Sequence, residues 1–164
     1  MSTKQKTRIA TWNVRTMFQP GKTQQITKEM KRFNLSILGV SETRWRGSGK
    51  VTLSGGEVMV YSGVPDEDGV PHVKGVAVIM TKEASQCLLE WEPVSERIIV
   101  TRFQSRVQNI TIVQVYAPTN DAEEEDKENF YSQLQATKSK IKSRDIVMLI
   151  GCLLYTSPSP RDRG

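Results

Sequence analysis

Residues 109–120 read NITIVQVYAPTN, and the folding of the chain turns on this stretch. Asn109 to Val115 is a short β-branched, apolar run of the kind that forms a buried strand. Tyr116 ends it, and Ala-Pro-Thr-Asn to Asn120 is turn chemistry. Working back toward the N-terminus, two more runs have the same build: RIATW at 8–12 leads into Asn13, and LSILGV at 35–40 leads into Ser41 and Glu42. Three strand ends therefore present Asn13, Glu42 and Tyr116. A layered α/β domain collects strand ends along one edge, and ligands bind at such edges when helices or a second sheet cover the faces. A lone Asn or Glu after a strand is ordinarily a turn residue. Only the three together point to a binding edge.

The order TWNV at 11–14, SETRW at 41–45, KGVAVIM at 74–80 and VYAPTN at 115–120 resembles the endonuclease/exonuclease/phosphatase superfamily, and most of all the apurinic-endonuclease-like domain of non-LTR retrotransposons. The resemblance covers nearly all of residues 7–151. It implies an α/β fold, a four-layer αββα sandwich of two sheets flanked by helices, and metal-dependent cleavage of phosphodiesters in DNA. Carried over residue by residue, it implies Glu42 as the carboxylate that holds Mg²⁺ or Mn²⁺ and Asn13 as its partner at the metal and phosphate. Tyr116 becomes a donor to the scissile phosphate, with Asn120 near the phosphate. The residue types suit these roles. Mg²⁺ takes oxygen ligands, usually one or two carboxylates with several waters. A phenol and an amide aimed at developing charge add transition-state stabilisation.

The resemblance breaks after the next strand, DIVMLI at 145–150. The superfamily continues there with Gly-Asp-Xaa-Asn and a late Asp–His pair, whereas this chain has Gly151 and Cys152. The expectation is an N-terminal part of the domain over 1–151, incomplete in its second half and inactive as it stands. Residues 152–164 have no helical or strand period. They resemble translated adapter read-through, and a genuine disordered Ser/Pro tail is the other reading. An apolar edge over Asp145–Ile150 is then expected to pair between chains.

Charge and composition narrow the partner. The chain has 164 residues, 37% of them hydrophobic and 25% charged, which suits one globular domain. Its net charge of +5 is compatible with a polyanion and is weak evidence for one. The distribution says more: Arg44, Trp45, Arg46 and Lys50 follow Glu42, and Arg15 follows Asn13, so positive charge and an aromatic gather beside the proposed metal ligand. Such a loop would hold the DNA backbone. Trp45 either stacks on a base or packs inward on the sheet. His72, the single histidine, sits in an Asp/Gly/Pro-rich turn and reads as a surface residue.

Ile26, Met30 and Phe33 form a helical stripe behind Thr23, which reads as a cap. Phe130, Leu134 and Ile141 form a second stripe in a segment opening at Asp121, with Glu124 in capping-box position. The acidic run at 123–126 complements a helix dipole. Pro20-Gly21-Lys22-Thr23 lacks the first glycine of a phosphate-binding loop and reads as a turn. The least ordered stretch is expected to be Gly47–Gly56 or Pro65–His72. Cys87 and Cys152 form no metal pattern, and the polar N-terminus carries no leader, so the expectation is an intracellular protein, nuclear or cytoplasmic, with no membrane span. Two other functions stay open: cleavage of a small-molecule or lipid-head-group phosphoester at the same Asn13 and Glu42, and a non-catalytic degenerate remnant.

Overall fold

A computed structural model describes residues 7–14, 21–64 and 74–152. Arg15, His72 and the tail from residue 153 lie outside the described residues. The first sheet joins β1 (Ile9–Asn13), β2 (Ile37–Ser41), β3 (Ser48–Thr52), β4 (Val58–Ser62) and β5 (Val76–Met80) in the order β1-β2-β5-β4-β3. β1 and β2 are parallel and the remaining pairs antiparallel. The second sheet runs β6 (Leu88–Ser95), β7 (Ile98–Phe103), β8 (Ile110–Tyr116) and β9 (Ile146–Cys152), antiparallel except for the parallel β8–β9 pair. α1 (Lys22–Arg32) precedes β2, the short α2 (Lys82–Ser85) follows β5, and α3 (Glu124–Ser139) connects β8 to β9.

The two-residue period of the strands sorts their side chains into layers. Ile37, Val58, Val60, Val76, Val78 and Met80 face inward and meet Ile99, Phe103 and Ile112 of the second sheet. Their neighbours in sequence, Leu38, Val40, Met59, Ala77 and Ile79, face outward under Ile26 and Met30 of α1. On the far side Ile98, Val113 and Val115 face outward under Phe130 and Leu134 of α3. Helix, sheet, sheet and helix thus form the four layers expected. Because β2 and β5 are covered on both faces, every residue in them is buried, and they read as unbroken apolar runs instead of alternating ones.

Two local expectations are corrected. Gly47–Gly56 is only partly irregular: Ser48–Thr52 pairs with β4 as an edge strand, a turn follows at 54–56, and Pro65–His72 lies outside the described residues. Its sequence SGKVT alternates between exposed and half-buried residues with only Val51 apolar, so it carries almost no strand signal. The caps also differ. α1 starts after Gly21, whose φ of 79° suits glycine, and Thr23 lies inside the helix. α3 starts after Glu123 without a side-chain cap, so Asp121 does not open it. The acidic first turn of Glu124, Glu125 and Asp126 does lie at the positive end of the helix dipole.

At the start of β9 a buried carboxylate fastens the second sheet. Asp145 accepts from Arg102 Nε at 2.7 Å, from Arg102 Nη2 at 3.2 Å and from Thr111 Oγ1 at 2.6 Å. The Arg102 guanidinium, followed by the Thr111 hydroxyl, holds the Asp145 carboxyl below its ordinary range. Beyond this anchor β9 is a sheet edge with Ile146, Val147 and Leu149 substantially exposed.

Candidate functional site

Ser62 Oγ donates to the Ser95 carbonyl oxygen at 2.6 Å, joining the end of β4 to the end of β6. Given the pairing directions, this contact puts the C-terminal ends of β1, β2, β4, β6 and β8 at one end of the sandwich. Asn13, Glu42 and Tyr116 all lie there, each at or next to the end of its strand.

Asn13 and Glu42 touch. The inward-facing positions of β1 are Ile9, Thr11 and Asn13, and the last of these donates from Nδ2 to Glu42 Oε2. Glu42 reaches this point through an unusual backbone. Its φ is 60° and that of Arg44 is 61°, so two residues out of three occupy the left-handed region without being glycine. That conformation costs roughly 1 kcal/mol or more for each, and the surrounding contacts hold it. Thr43 N–H donates to the Gly75 carbonyl at 3.2 Å, Gly63 N–H donates to the Gly47 carbonyl at 2.7 Å, and Arg46 bridges to Val64. Gly63 is required by close approach: a Cβ there would sit 1.8 Å from the Trp45 carbonyl oxygen. The loop from Glu42 to Gly47 is therefore pinned to β4 and to the entrance of β5.

The same pinning places Trp45. Its ring meets Tyr61 edge-on at a centroid distance of 5.0 Å and packs on the cluster beneath α1, the inward of its two expected orientations. Arg44 and Arg46 are half-buried in the loop that Trp45 holds, and Lys50 is exposed on β3. Asn120 lies exposed beyond β8, its carbonyl accepting from Lys127 Nζ at 2.8 Å. Among the described residues no hydrogen bond joins it to Asn13, Glu42 or Tyr116. A cleft of about 200 Å³ opens between the end of β1 and α1, lined by Trp12, Asn13, Val14, Lys22, Gln25, Ile26 and Glu29.

Tyr116 is half-buried on the inner face of the second sheet. Its backbone N–H donates to the Arg97 carbonyl at 2.9 Å, and its own carbonyl accepts from Arg97 Nη1 at 2.9 Å. The guanidinium carbon lies 5.4 Å from the phenol ring centroid. Arg97 occupies the turn between β6 and β7, with its N–H donating to Ser95 Oγ at 3.1 Å. Sequence reasoning missed this residue. Its one available signal was a Ser-Glu-Arg turn between two strand-like runs, and only the β7–β8 register shows that the turn lies beside Tyr116.

Among the described residues no three His, Cys, Asp or Glu side chains gather to hold a metal. Glu42 with the Asn13 amide supplies one carboxylate and one neutral oxygen, a donor set that fits a hard divalent cation keeping most of its waters.

Two packed mixed sheets between helices, with this edge at the strand ends, are the architecture of the endonuclease/exonuclease/phosphatase superfamily, and the chain has that fold. Over 143 residues it is 37% identical to craniofacial development protein 2 of Bos taurus, a match covering 87% of this chain. The chain spans about a quarter of that relative, 23% of its length. No family model matches the sequence. Among solved structures it is similar to the endonuclease domain of TRAS1, a telomere-specific non-LTR retrotransposon, with a TM-score of 0.59, 17% identity and coverage of 89% of this chain and 58% of that one. The AP endonuclease LMAP of Leishmania major gives a TM-score of 0.61 at 14% identity, covering 86% of this chain and 53% of that one. An endonuclease/exonuclease/phosphatase family protein of Leptotrichia buccalis gives 0.56 at 11% identity, covering 89% of this chain and 66% of that one. Among the described residues no helix is long and apolar enough to cross a membrane.

Proposed function

We propose that residues 7–151 form part of a divalent-metal-dependent DNA endonuclease domain of the apurinic-endonuclease-like, retrotransposon type. The observation that carries this reading is the Asn13–Glu42 hydrogen bond, with Glu42 held in the left-handed region at the edge where β8 delivers Tyr116. An acidic residue kept in a costly conformation beside an amide, and not relaxed into a turn, points to a ligand-binding role.

In this reading Glu42 and Asn13 hold Mg²⁺ or Mn²⁺, which when bound supplies Lewis-acid polarisation of the phosphate. The Asn13 side chain orients the Glu42 carboxylate. Tyr116 places its phenol as a hydrogen-bond donor toward the scissile phosphate, in a half-buried position where such a bond is worth more than in water. Arg44 and Arg46 hold backbone phosphates beside the cut, on a loop that Trp45 fixes by packing on Tyr61, and Asn120 approaches from the β8–α3 connection. Asn13, Glu42 and Tyr116 neutralise and orient, and none of them is assigned as a base. Cleavage by this chain alone is accordingly expected to be slow or absent, with metal and DNA binding retained. A small phosphoester would use the same Asn13 and Glu42, and the arginine pair favours the extended strand.

The test is paired. Mn²⁺ binding, followed by water-proton relaxation, is expected in the wild type and lost in Glu42→Gln. DNA binding, followed by fluorescence anisotropy of a labelled duplex, is expected to weaken as salt is raised. A wild type that binds neither Mn²⁺ nor DNA sinks the reading. Mn²⁺ binding with no DNA affinity, together with release of phosphate from small esters, favours the second substrate class.

A further inference from the structure

The surroundings of Tyr116 carry an inference that deepens the proposed nuclease and rests on that reading. Arg97 and Tyr116 extend the β7–β8 ladder by one step past the Ile98–Val115 pair. Directly opposed residues on one face of an antiparallel pair have neighbouring Cβ atoms and interact. Ile99 faces inward, so Arg97 two positions earlier shares its face with Tyr116. The guanidinium is held there on two sides, by the Nη1 bond to the Tyr116 carbonyl at 2.9 Å and by the phenol ring 5.4 Å away. The backbone of Arg97 is fixed as well, through Ser95 Oγ at 3.1 Å, and Ser95 is in turn tied to Ser62 of the first sheet at 2.6 Å. Among the described residues no carboxylate forms an ion pair with Arg97.

We infer that Arg97 is a positioning residue: its guanidinium holds the Tyr116 ring in one orientation at the edge shared with Asn13 and Glu42, so that the phenol faces the phosphate. A planar, always-charged group suits this task. It bonds a carbonyl and lies against an aromatic ring at the same time, which an ammonium does less well. The turn that carries it is tied to both sheets, so the orientation of Tyr116 is referred to the first sheet, where Glu42 begins.

The experiment labels the full chain with 3-fluorotyrosine and assigns the Tyr116 ¹⁹F resonance by its loss in Tyr116→Phe. Arg97→Met and Arg97→Lys leave the backbone bond from Tyr116 N–H to residue 97 in place. In Arg97→Met the Tyr116 resonance is expected to move while those of Tyr61 and Tyr131 stay. Any residual Mn²⁺-dependent nicking of plasmid DNA should fall on the order of 10-fold with DNA affinity unchanged, and Arg97→Lys should restore part of the resonance position and of the rate. An unmoved Tyr116 resonance overturns the proposal. So does a loss of DNA affinity matching the loss of rate, which would make Arg97 a phosphate contact. If Arg97→Met does not fold, Arg97→Lys decides: a partly displaced Tyr116 resonance supports the role and a wild-type one refutes it. If the wild type does not nick DNA, as the lack of an assigned base predicts, the nuclease reading is judged on Mn²⁺ and DNA binding, and the resonance alone decides whether Arg97 holds Tyr116.

Discussion

Gly39→Ala is expected to destabilise the protein by about 2 to 3 kcal/mol, a large cost for one methyl group. Gly39 pairs with Thr11 of β1 and Val78 of β5, and no side chain projects from it into the space between the sheets. Gln114 fills that space. It is fully buried, and its Oε1 accepts from Thr11 Oγ1 at 3.2 Å. A Cβ on residue 39 would lie 2.0 Å from Gln114 Oε1, 2.7 Å from Gln114 Cδ and 2.9 Å from Ile150 Cδ1. The amide would have to withdraw by more than 1 Å, between strands that close-packed side chains already hold. Overpacking of this kind costs about 1–3 kcal/mol and the Thr11 bond about 1 more, while reduced freedom of the unfolded chain returns about 0.5. With a urea slope of about 2 kcal/mol/M, the unfolding midpoint should fall by roughly 1 M. The second arm is Gly39→Ala/Gln114→Ser, in which shortening the amide removes the clash. The double variant should be more stable than the two single costs sum to, by about 1–2 kcal/mol. A midpoint shift below about 0.2 M, or strict additivity in the cycle, would refute the claim that glycine is required by the inter-sheet glutamine.

Asp145→Asn should lower stability at neutral pH with a pH dependence of fixed sign. The folded-state carboxyl lies below its ordinary 3.8, so its contribution is complete above about pH 4 and is lost as pH falls through the folded value. The gap between wild-type and variant thermal midpoints should be constant from pH 5 to 8 and close below pH 4; a gap that widens in acid contradicts the assignment. Phe130→Ala empties a site that is 1% exposed beneath α3, and should cost about 3–5 kcal/mol, with amide exchange accelerating in α3 more than in α1. Arg44→Ala and Arg46→Ala should each reduce the slope of log K for DNA against log salt by about 1, a change that substitution of the distant Lys82 should not reproduce.

Much of this architecture is legible in local sequence because burial on both faces writes itself plainly. ILGVS and VAVIM are apolar throughout, as doubly covered strands must be, and the stripes Ile26–Met30 and Phe130–Leu134 mark the two outer helices. The strand ends also identify Asn13, Glu42 and Tyr116, since a polar residue ending a buried run has to emerge at the sheet edge. Other features are illegible for equally physical reasons. β3 is an edge strand with half of its surface in water, so SGKVT looks like a loop. Gly21 begins α1 by adopting positive φ, a role no hydroxyl cap marks in the sequence. The two orientations open to Trp45 differed only in whether Tyr61 would be near it, and Tyr61 is sixteen residues away in sequence yet 5.0 Å away in space.

The sequence by itself therefore marked the doubly covered strands, the two outer helices and the polar residues that end strands, because those depend on apolar periodicity within a dozen residues, whereas the four-layer arrangement was an implication of the family resemblance. The tertiary structure decided the rest: that Glu42 turns back through a left-handed step to meet Asn13, that Gly39 yields its place to Gln114, and that Arg97 stands opposite Tyr116. Each of these depends on strand register and sheet-to-sheet contact between segments far apart in the chain, and pairing at that range leaves no local pattern to read.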